Sequence, residues 1–368
     1  MSADVVFYLV IATALAFDFT NGFHDTANVV ATSISTRALP PRVAVTMAAI
    51  LNFVGAFISI QVAATVGTGI VEADVITLPV VFGGLIGAIT WNVVTWYFGL
   101  PSSSSHALIG GVVGAAFAAE GSQAVISDGL LGKVAVPALV APTLAFLTAG
   151  LAILLCYRVV GRLRPGPVNA GFRAGQVISG GMLALAHGTN DAQKTMGIMV
   201  LALIAHGEIA PDAFYVPTWV KVSAATAIAL GTYVGGWRII RTMGTRIIKM
   251  DTAQGFAAQG SGAAVILAAS HAGYPLSTTH TISGAVMGAG AARRLSAVRW
   301  GVAGNIILAW VLTIPAAGAV GAAVYGVTRI FGDDSAIGPV LISAAILVGM
   351  AWAFARRARR SALAGAEA

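Results

Sequence analysis

Charged residues are scarce in this sequence. Asp, Glu, Lys and Arg make up only 10% of its 368 residues, whereas 57% of the residues are hydrophobic. A soluble domain carries roughly 25% charged residues, and a disordered chain carries few apolar ones, so both classes are excluded. The single cysteine, Cys156, excludes an internal disulfide framework and a multi-cysteine metal site. The composition predicts a chain that lies in the cell membrane, in contact with its lipids.

The few charges fall in clusters of one sign between long apolar runs. Short basic clusters mark the cytoplasmic side of a membrane protein, and acidic clusters alternate with them here. A nucleic-acid-binding patch would not alternate in this way, so no nucleic-acid partner is expected despite the net charge of +7. The alternation predicts an N-terminus outside the cell and a C-terminus in the cytoplasm. The basic clusters are Arg37 and Arg42, Arg158 to Arg173, Arg238 to Lys249, Arg293 to Arg299, and Arg356 to Arg360.

Apolar runs of about 20 residues or more, the length that crosses a bilayer, recur along the chain and predict an all-α polytopic membrane protein. The run at 41–66 is expected to be one span. The runs at 5–36 and 172–206 are too long for simple spans. Polar residues interrupt them at 18–25 and 187–191, so we expect a broken transmembrane helix in each.

Two further apolar runs, 107–119 and 281–292, are too short to cross the membrane. Each follows a turn that contains proline and hydroxyl residues, at 101–106 and 275–280. A short apolar helix behind such a turn is typical of the returning leg of a re-entrant helical hairpin. The turns are therefore the expected hairpin tips.

These features occur twice, which indicates an internal duplication. Gly22 to Asn28 aligns with Gly188 to Lys194, and the two hairpin tips also align. The charge clusters give the two copies opposite directions, as in the inverted repeats of many secondary transporters. The expected organisation is a first repeat over 1–160, a cytoplasmic linker over 161–171, a second repeat over 172–330 with an amphipathic segment at 237–249, a further transmembrane helix over 337–355 and a cytoplasmic tail over 356–368.

Four ionisable residues, Asp18, Asp25, Asp191 and Lys194, fall inside the apolar spans. A charge at bilayer depth is costly and usually marks a substrate path or an ion site. Asp25 and Asp191 occupy equivalent places in the two repeats, whereas Asp18 has no acidic counterpart. Asp25 and Asp191 are therefore the stronger candidates.

The hairpin tips carry hydroxyl groups at the start of a short helix. A helix N-terminus attracts an oxyanion through its free N–H groups and its positive dipole end. The tips therefore predict an anion site. His106 and His280 follow the tips and are expected to orient the hydroxyls. The candidate anion ligands at the tips are Ser103, Ser104, Ser105, Ser277, Thr278 and Thr279.

Carboxylates beside a bound anion repel it unless a cation neutralises them. Na⁺ or a proton at Asp25 and Asp191, with oxygen ligands from Asn28 and Asn190, would make the affinity for the anion depend on the cation. Such dependence is the thermodynamic basis of symport. The sequence contains no His-Glu-x-x-His motif, and no Gly-x-Ser-x-Gly elbow precedes a usable helix, so no enzymatic activity is expected.

The paired Asp-centred segments and hairpin tips resemble the inorganic phosphate transporter (PiT) family, over about residues 5–355. The resemblance implies secondary active import of inorganic phosphate, coupled to Na⁺ or H⁺, by a homodimer without a cofactor. By position, the resemblance assigns phosphate to the tip hydroxyls, Asn28 and Lys194, and the coupling cation to Asp25, Asp191, Asn190 and His24.

The first repeat departs from the signature of the family, because His24 stands where the motif has Asn. Imidazole titrates near neutrality, whereas an amide oxygen is a better ligand for a hard cation. The segment around His24 looks like the proton-coupled bacterial branch, which takes phosphate as a neutral complex with a divalent metal. We therefore expect H⁺ rather than Na⁺ as the coupling ion.

Two other functions fit part of the pattern. An anion channel could also be lined by helix N-termini and serine-rich tips, although paired carboxylates favour a carrier. A symporter for another oxyanion, such as sulfate, would use the same donors. Sulfate only accepts hydrogen bonds, whereas HPO₄²⁻ also donates one, so acceptors such as Asp25 or Asp191 beside the anion would select phosphate.

Overall fold

The computed structural model describes residues 2–72, 75–210, 212–332, 335–346 and 348–349. Within these ranges the regular structure is helical, apart from one isolated antiparallel bridge between Val71 and Val125. The all-α architecture is therefore confirmed. The helices of the first half are α1 (Ser2–Ser35), α2 (Pro41–Gly55), α3 (Gln61–Thr68), α4 (Leu78–Phe98), α5 (Ser104–Glu120), α6 (Ser127–Gly129) and α7 (Val136–Val160). Those of the second half are α8 (Pro165–His206), α9 (Thr218–Val234), α10 (Trp237–Arg241), α11 (Thr252–His271), α12 (Thr278–Ala291), α13 (Trp300–Arg329) and α14 (Ile337–Ile346).

The helices α1 and α8 are continuous through their polar segments, so the breaks predicted at 18–25 and 187–191 are wrong. The reason lies in the spacing of the polar residues. Asp18, Asn21 and Asp25 recur at intervals of three and four, which places them on one face of a helix. Side chains of neighbouring elements meet this face, so the helix presents polar groups without unwinding its backbone.

The helix α8 begins at Pro165 rather than at 172, so the predicted linker over 161–171 is confined to 161–164. Proline suits the first position of a helix, because its missing N–H group would have no partner there and its φ is already helical. The polar composition of the first turns of α8 concealed this extension in a search for apolar runs.

In each half, the interrupted span is the one that follows the long helix predicted to be broken. The single span expected at 41–66 is divided between α2 and α3, and the corresponding helices α9 and α10 are divided at Gly235, where φ is +72°. Gln193 of α8 accepts hydrogen bonds from the backbone N–H groups of Val62, at 2.9 Å, and Ala63, at 3.2 Å. This side chain satisfies the N-terminus of α3, which makes the break tolerable inside the protein.

Both hairpins are present, formed by α4 with α5 and by α11 with α12. Gly99 and Gly273 stand at matching positions in the two tips, and both have a positive φ, +67° and +76°. Glycine adopts this conformation without steric cost. The tip at Gly99 lies against α10, and the tip at Gly273 lies against α3. Each hairpin therefore reaches the short helix of the other half.

The two halves interlock through matching glycines. A Cβ atom on Gly22 of α1 would lie 2.2 Å from the carbonyl oxygen of Ile228 in α9. A Cβ atom on Gly188 of α8 would lie 2.2 Å from the carbonyl oxygen of Asn52 in α2. Two equivalent crossings thus bring backbones into direct contact, as small residues do in membrane helices. The same exchange continues outward, where α7 packs on α12 and α13 packs on α5.

The helices α1 and α8 run antiparallel. His206 near the end of α8 lies 3.3 Å from Asp4 near the start of α1. At the other end, the hydroxyl of Thr36 donates to the side-chain oxygen of Gln176 in the first part of α8. Antiparallel first helices are the geometry that inverted repeats require. The orientation of the repeats in the membrane stays a prediction.

The outer faces of the long helices are apolar, as expected for a protein in a bilayer. Leu139 of α7 is 74% exposed and Val311 of α13 is 66% exposed. The helix α14 forms the start of the helix predicted over 337–355, and the predicted tail over 356–368 lies outside the described residues. The described helices long and apolar enough to cross a membrane are Ala3–Ser35, Leu78–Phe98, Ser127–Val160 and Trp300–Arg329.

The segment over 237–249 is amphipathic, as predicted, but it is not one helix. It contains α10 and a π-helical turn, Thr242–Arg246. Its apolar side, including Ile239 and Ile247, is buried against α1 and α4 rather than turned outward, while Arg238 and Arg241 are exposed. The segment therefore forms part of the support for the tip of the first hairpin.

Candidate functional site

The polar faces of α1 and α8 meet inside the protein beside both hairpin tips. Asp25, Asp191 and Lys194 are each no more than 1% exposed. Removing an ion from water costs several kcal/mol, roughly, unless charges and hydrogen bonds compensate. The partners of these three side chains therefore define the site.

Lys194 connects α8 to both hairpins. Its Nζ donates to Asp191 Oδ1 at 2.6 Å and to the carbonyl oxygen of Leu276 at 2.7 Å. It also donates to the hydroxyl of Ser105 at the start of α5. All three hydrogens of the ammonium group are thus used. One side chain holds the two tips and one carboxylate in fixed relative positions.

The second hairpin places two hydroxyl groups between the carboxylates. Thr278 Oγ1 lies 3.3 Å from Oδ2 of Asp25 and 3.3 Å from Oδ2 of Asp191. Thr279 Oγ1 lies 3.4 Å from Asp25 Oδ1 and accepts a hydrogen bond from Asn28 Nδ2 at 2.8 Å. The structure therefore brings together five predicted site residues from α1, α8 and α12.

The N-termini of α5 and α12 are capped in the same way. Ser103 Oγ accepts from the backbone N–H of His106 at 3.1 Å, and Ser277 Oγ accepts from that of His280 at 3.2 Å. Both hydroxyls keep a hydrogen for a further partner. Ser104 Oγ is buried without a hydrogen-bond partner. The tips thus present hydroxyl donors together with helix N-termini, the combination that binds oxyanions.

His24 stands beside Asp25 with both ring nitrogens engaged. Its Nδ1 lies 2.6 Å from Asp25 Oδ1, and its Nε2 lies 3.2 Å from Thr95 Oγ1. A bare ring nitrogen and a carboxylate oxygen would repel at this distance, so a proton lies between them. Ser102 of the first tip donates to Thr95 at 2.8 Å. A chain of polar groups thus runs from the carboxylate to the first hairpin.

From the sequence, His187 was expected at the predicted break of the second long span, as a residue that supports the site without binding in it, but the structure places it beside Asp191. Its Nδ1 lies 3.1 Å from Asn52 Oδ1, and its Nε2 lies 3.3 Å from Asp191 Oδ2 without a hydrogen bond. One ligand atom from each of Asp25, His187 and Asp191 fits within 4.8 Å of the others. The spacing of His187 and Asp191, one helical turn apart, was the signal in the sequence.

Other predicted residues lie at the margin of the site. The amide nitrogen of Asn190 donates to Ser270 Oγ at 2.8 Å and to the carbonyl oxygen of Tyr274 at 3.1 Å, so it binds the second hairpin rather than Asp25. The rings of His106 and His280 pack edge to face at 4.6 Å. His280 also stacks on Trp310. These two histidines join the hairpins, but they do not contact the carboxylates.

Comparisons with known proteins agree with this geometry. The family model described as the phosphate transporter family matches residues 21–169 and 162–321. A probable low-affinity inorganic phosphate transporter of Mycobacterium bovis is 52% identical over 324 residues, which cover 88% of this chain and 78% of the relative. The protein of the same description from Rhizobium meliloti is 50% identical over 329 residues, covering 88% of this chain and 98% of that one.

A protein with this description from Bacillus subtilis is 43% identical over 321 residues, covering 86% and 95% of the two chains. A solved structure entitled "The sodium-dependent phosphate transporter" aligns with a TM-score of 0.80 and 25% sequence identity, over 88% of this chain and 99% of that one. The site sets hydroxyl-bearing helix N-termini against paired carboxylates, and the family model matches both halves of the chain. This chain therefore belongs to the phosphate transporter (PiT) family.

Proposed function

We propose that this membrane protein imports inorganic phosphate by proton symport and holds the phosphate between the two hairpin tips. The observation that carries the proposal is the pair of His24 and Asp25, in which Nδ1 and Oδ1 are 2.6 Å apart. The same carboxylate faces the hydroxyls of Thr278 and Thr279. A proton on this pair removes negative charge beside the anion, so phosphate and proton favour each other's binding.

The burial of the site favours a carrier over a channel. The six tip residues from Ser103 to Ser105 and from Ser277 to Thr279 are at most 3% exposed. A channel needs a continuous water-filled path, whereas a carrier passes through a closed state. The tips approach from the two halves of the protein, so movement of one at a time would open the site to one side at a time.

The carboxylates favour phosphate over sulfate. The carboxylates of Asp25 and Asp191, which are hydrogen-bond acceptors, both lie 3.3 Å from the hydroxyl of Thr278. HPO₄²⁻ can donate its hydrogen to such an acceptor, whereas sulfate would place two acceptors against each other. We therefore expect excess sulfate to compete poorly for uptake.

The group of Asp25, His187 and Asp191 supports a second feature of the substrate, namely phosphate carried as a neutral complex with a divalent metal. Two carboxylates and one imidazole suit Mn²⁺ or Zn²⁺ better than Mg²⁺, which prefers oxygen ligands. The metal would travel with the phosphate as cargo. Radioactive metal and labelled phosphate should then accumulate together, and His187→Ala should reduce metal accumulation.

We also propose that the protein is a homodimer in the lipid bilayer, which crosslinking in native membranes would test. The coupling ion is tested in proteoliposomes with labelled phosphate, by varying Na⁺, pH and divalent metal separately. An inward proton gradient should drive uptake above equilibrium without Na⁺. Strict dependence on Na⁺ at every pH would refute proton symport, and uptake that never exceeds equilibrium would identify a channel.

A further inference from the structure

A third buried carboxyl group lies outside the phosphate site. Asp18 is 0% exposed, and neither of its carboxylate oxygens makes a hydrogen bond. It precedes Asp25 by about two helical turns on the same face of α1. Buried polar atoms in native proteins are almost always hydrogen-bonded, so this pair of oxygens requires an explanation.

Two polar side chains beside Asp18 also contain oxygen atoms without hydrogen-bond partners. Asn21 on α1 and Thr195 on α8 face the carboxyl group. Both are buried, and Asn21 Oδ1 and Thr195 Oγ1 also have no hydrogen-bond partner. Three adjacent side chains from two helices therefore contain four oxygen atoms without partners.

One proton accounts for all four oxygens. An ionised Asp18 could accept hydrogen bonds from Asn21 Nδ2 and Thr195 Oγ1, but it would be buried without a cation of its own, and Asn21 Oδ1 would remain without a donor. A protonated Asp18 can donate its O–H to Asn21 Oδ1 and accept the hydrogen of Thr195 at its carbonyl oxygen. We propose that Asp18, Asn21 and Thr195 form a second proton-binding site, which is occupied in the conformation described above.

The surrounding charges are consistent with a neutral Asp18. The ionisable groups that act on it are Asp191 and Lys194 of α8. Lys194 already donates to Asp191, Ser105 and Leu276, so it has no hydrogen for Asp18. The helix α4, which packs on α1, carries no acidic residue, histidine, lysine or arginine, and its one ionisable group is the phenol of Tyr97 near its end. Lys221 of α9 lies about three turns from the crossing at Phe19.

A metal cation fits this site less well than a proton. Its ligands would be limited to the same four side-chain oxygens, because α1 and α8 are continuous here and their carbonyl groups are used within the helices. Thr195 directly follows Lys194, whose ammonium group holds both hairpin tips, so a tip movement that displaces Lys194 would also displace Thr195 from Asp18. The proton would then be released in the same step.

The test is infrared spectroscopy of the purified full-length protein in lipid nanodiscs, in H₂O and D₂O at neutral pH. The wild type should show the C=O band of a protonated carboxyl group, and Asp18→Asn should lose it. Asp25→Asn, Asp191→Asn and the exposed control Asp128→Asn should not remove this band. Thr195→Val should shift the band to higher wavenumber, because the carbonyl oxygen loses its donor. This variant keeps the test valid if Asp18→Asn does not fold.

The proposal is overturned if Asp18→Asn leaves the carboxyl bands unchanged, or if the addition of Na⁺ abolishes the band in the wild type, which would indicate a sodium site. The result is independent of the ion that drives transport. A band that depends on Asp18 in a protein with strictly Na⁺-driven uptake would support this site and refute proton symport. Proton-driven uptake by a protein that lacks the band would support proton symport and refute this site.

Discussion

Asp25 and Asp191, which lie 166 residues apart in the chain, share the hydroxyl group of Thr278, whose Oγ1 is 3.3 Å from Oδ2 of each. A hydroxyl has one hydrogen and can donate to only one carboxylate at a time. The other partners of the two carboxylates differ, with the ammonium group of Lys194 at Asp191 and the imidazole of His24 at Asp25. One pair therefore contains an ammonium group, whereas the other, the titratable pair, contains a cation only when its imidazole is protonated.

Neutralising Asp191 should stop transport. Asp191→Asn leaves Lys194 as an unpaired buried cation, and breaking a buried pair in this way costs roughly 3–5 kcal/mol. We expect phosphate uptake into proteoliposomes to fall by about a hundredfold or more, while the protein still inserts into the membrane. The exposed Glu120→Gln is the control and should transport normally. Near-normal uptake by Asp191→Asn would remove this carboxylate from the mechanism.

Removing both members of the pair should separate stability from transport. Lys194→Met alone leaves Asp191 buried and unpaired, so the melting temperature in detergent should fall. The double variant Asp191→Asn with Lys194→Met leaves no charge at these two positions and should recover much of that loss, because matched removal of a buried pair is often nearly neutral. Uptake should remain absent in the double variant. A melting temperature that falls additively would show that the two residues are not energetically coupled.

His24→Asn tests the titratable pair. The asparagine amide can replace His24 Nδ1 beside Asp25, although it is too short to replace Nε2 at Thr95, and it does not bind a proton near neutrality. We expect the variant to bind phosphate and to exchange it across the membrane, while a pH gradient no longer drives accumulation. Exchange and gradient-driven uptake should be measured in the same proteoliposomes. Accumulation at the wild-type level under a pH gradient would place the coupling proton elsewhere.

The sequence predicted which residues would come together better than it predicted how they would be arranged. Asp25, Asp191 and the tip threonines were recognised because charges and hydroxyls stand out within apolar spans. His187 was expected only as a supporting residue, because a histidine within a helix does not show which groups face it until the partner helix is placed. Asn190 was predicted to bind the coupling cation together with its neighbour Asp191. In the structure Asp191 faces the site, whereas Asn190 Nδ2 binds the second hairpin.

The fold shows a similar division. The hairpins could be predicted from short apolar runs that follow proline and serine. The breaks were misplaced because polar residues at helical spacing, such as Asp25 and Asn28, are hydrogen-bonded by side chains of the second hairpin, so the helix does not need to unwind. The real interruption before α3 depends on the side chain of Gln193, which is more than 120 residues away in the sequence. No local pattern contains that information.

The helix crossings predict the cost of adding a methyl group. A Cβ atom on Gly188 would lie 2.2 Å from the carbonyl oxygen of Asn52, and backbone cannot move aside as a side chain can. Gly188→Ala should therefore lower stability by about 1–3 kcal/mol, seen as a lower melting temperature in detergent. Gly260→Ala in α11 is the matched control, because nothing lies within 4 Å of its Cβ position. Equal melting temperatures for the two variants would contradict the close approach of α2 and α8.

The predicted orientation can be tested with single cysteines. In a Cys156→Ser background, Asp128→Cys places a thiol in an exposed segment expected outside the cell, and Arg162→Cys places one in an exposed segment expected in the cytoplasm. A membrane-impermeant maleimide should label the first thiol in intact cells and the second only after permeabilisation. Because α7 connects the two positions, they should lie on opposite sides whichever way the protein is inserted. Labelling in the reverse order would therefore mean that the whole protein is inserted in the opposite orientation. Labelling of both thiols in intact cells would mean that α7 does not span the membrane.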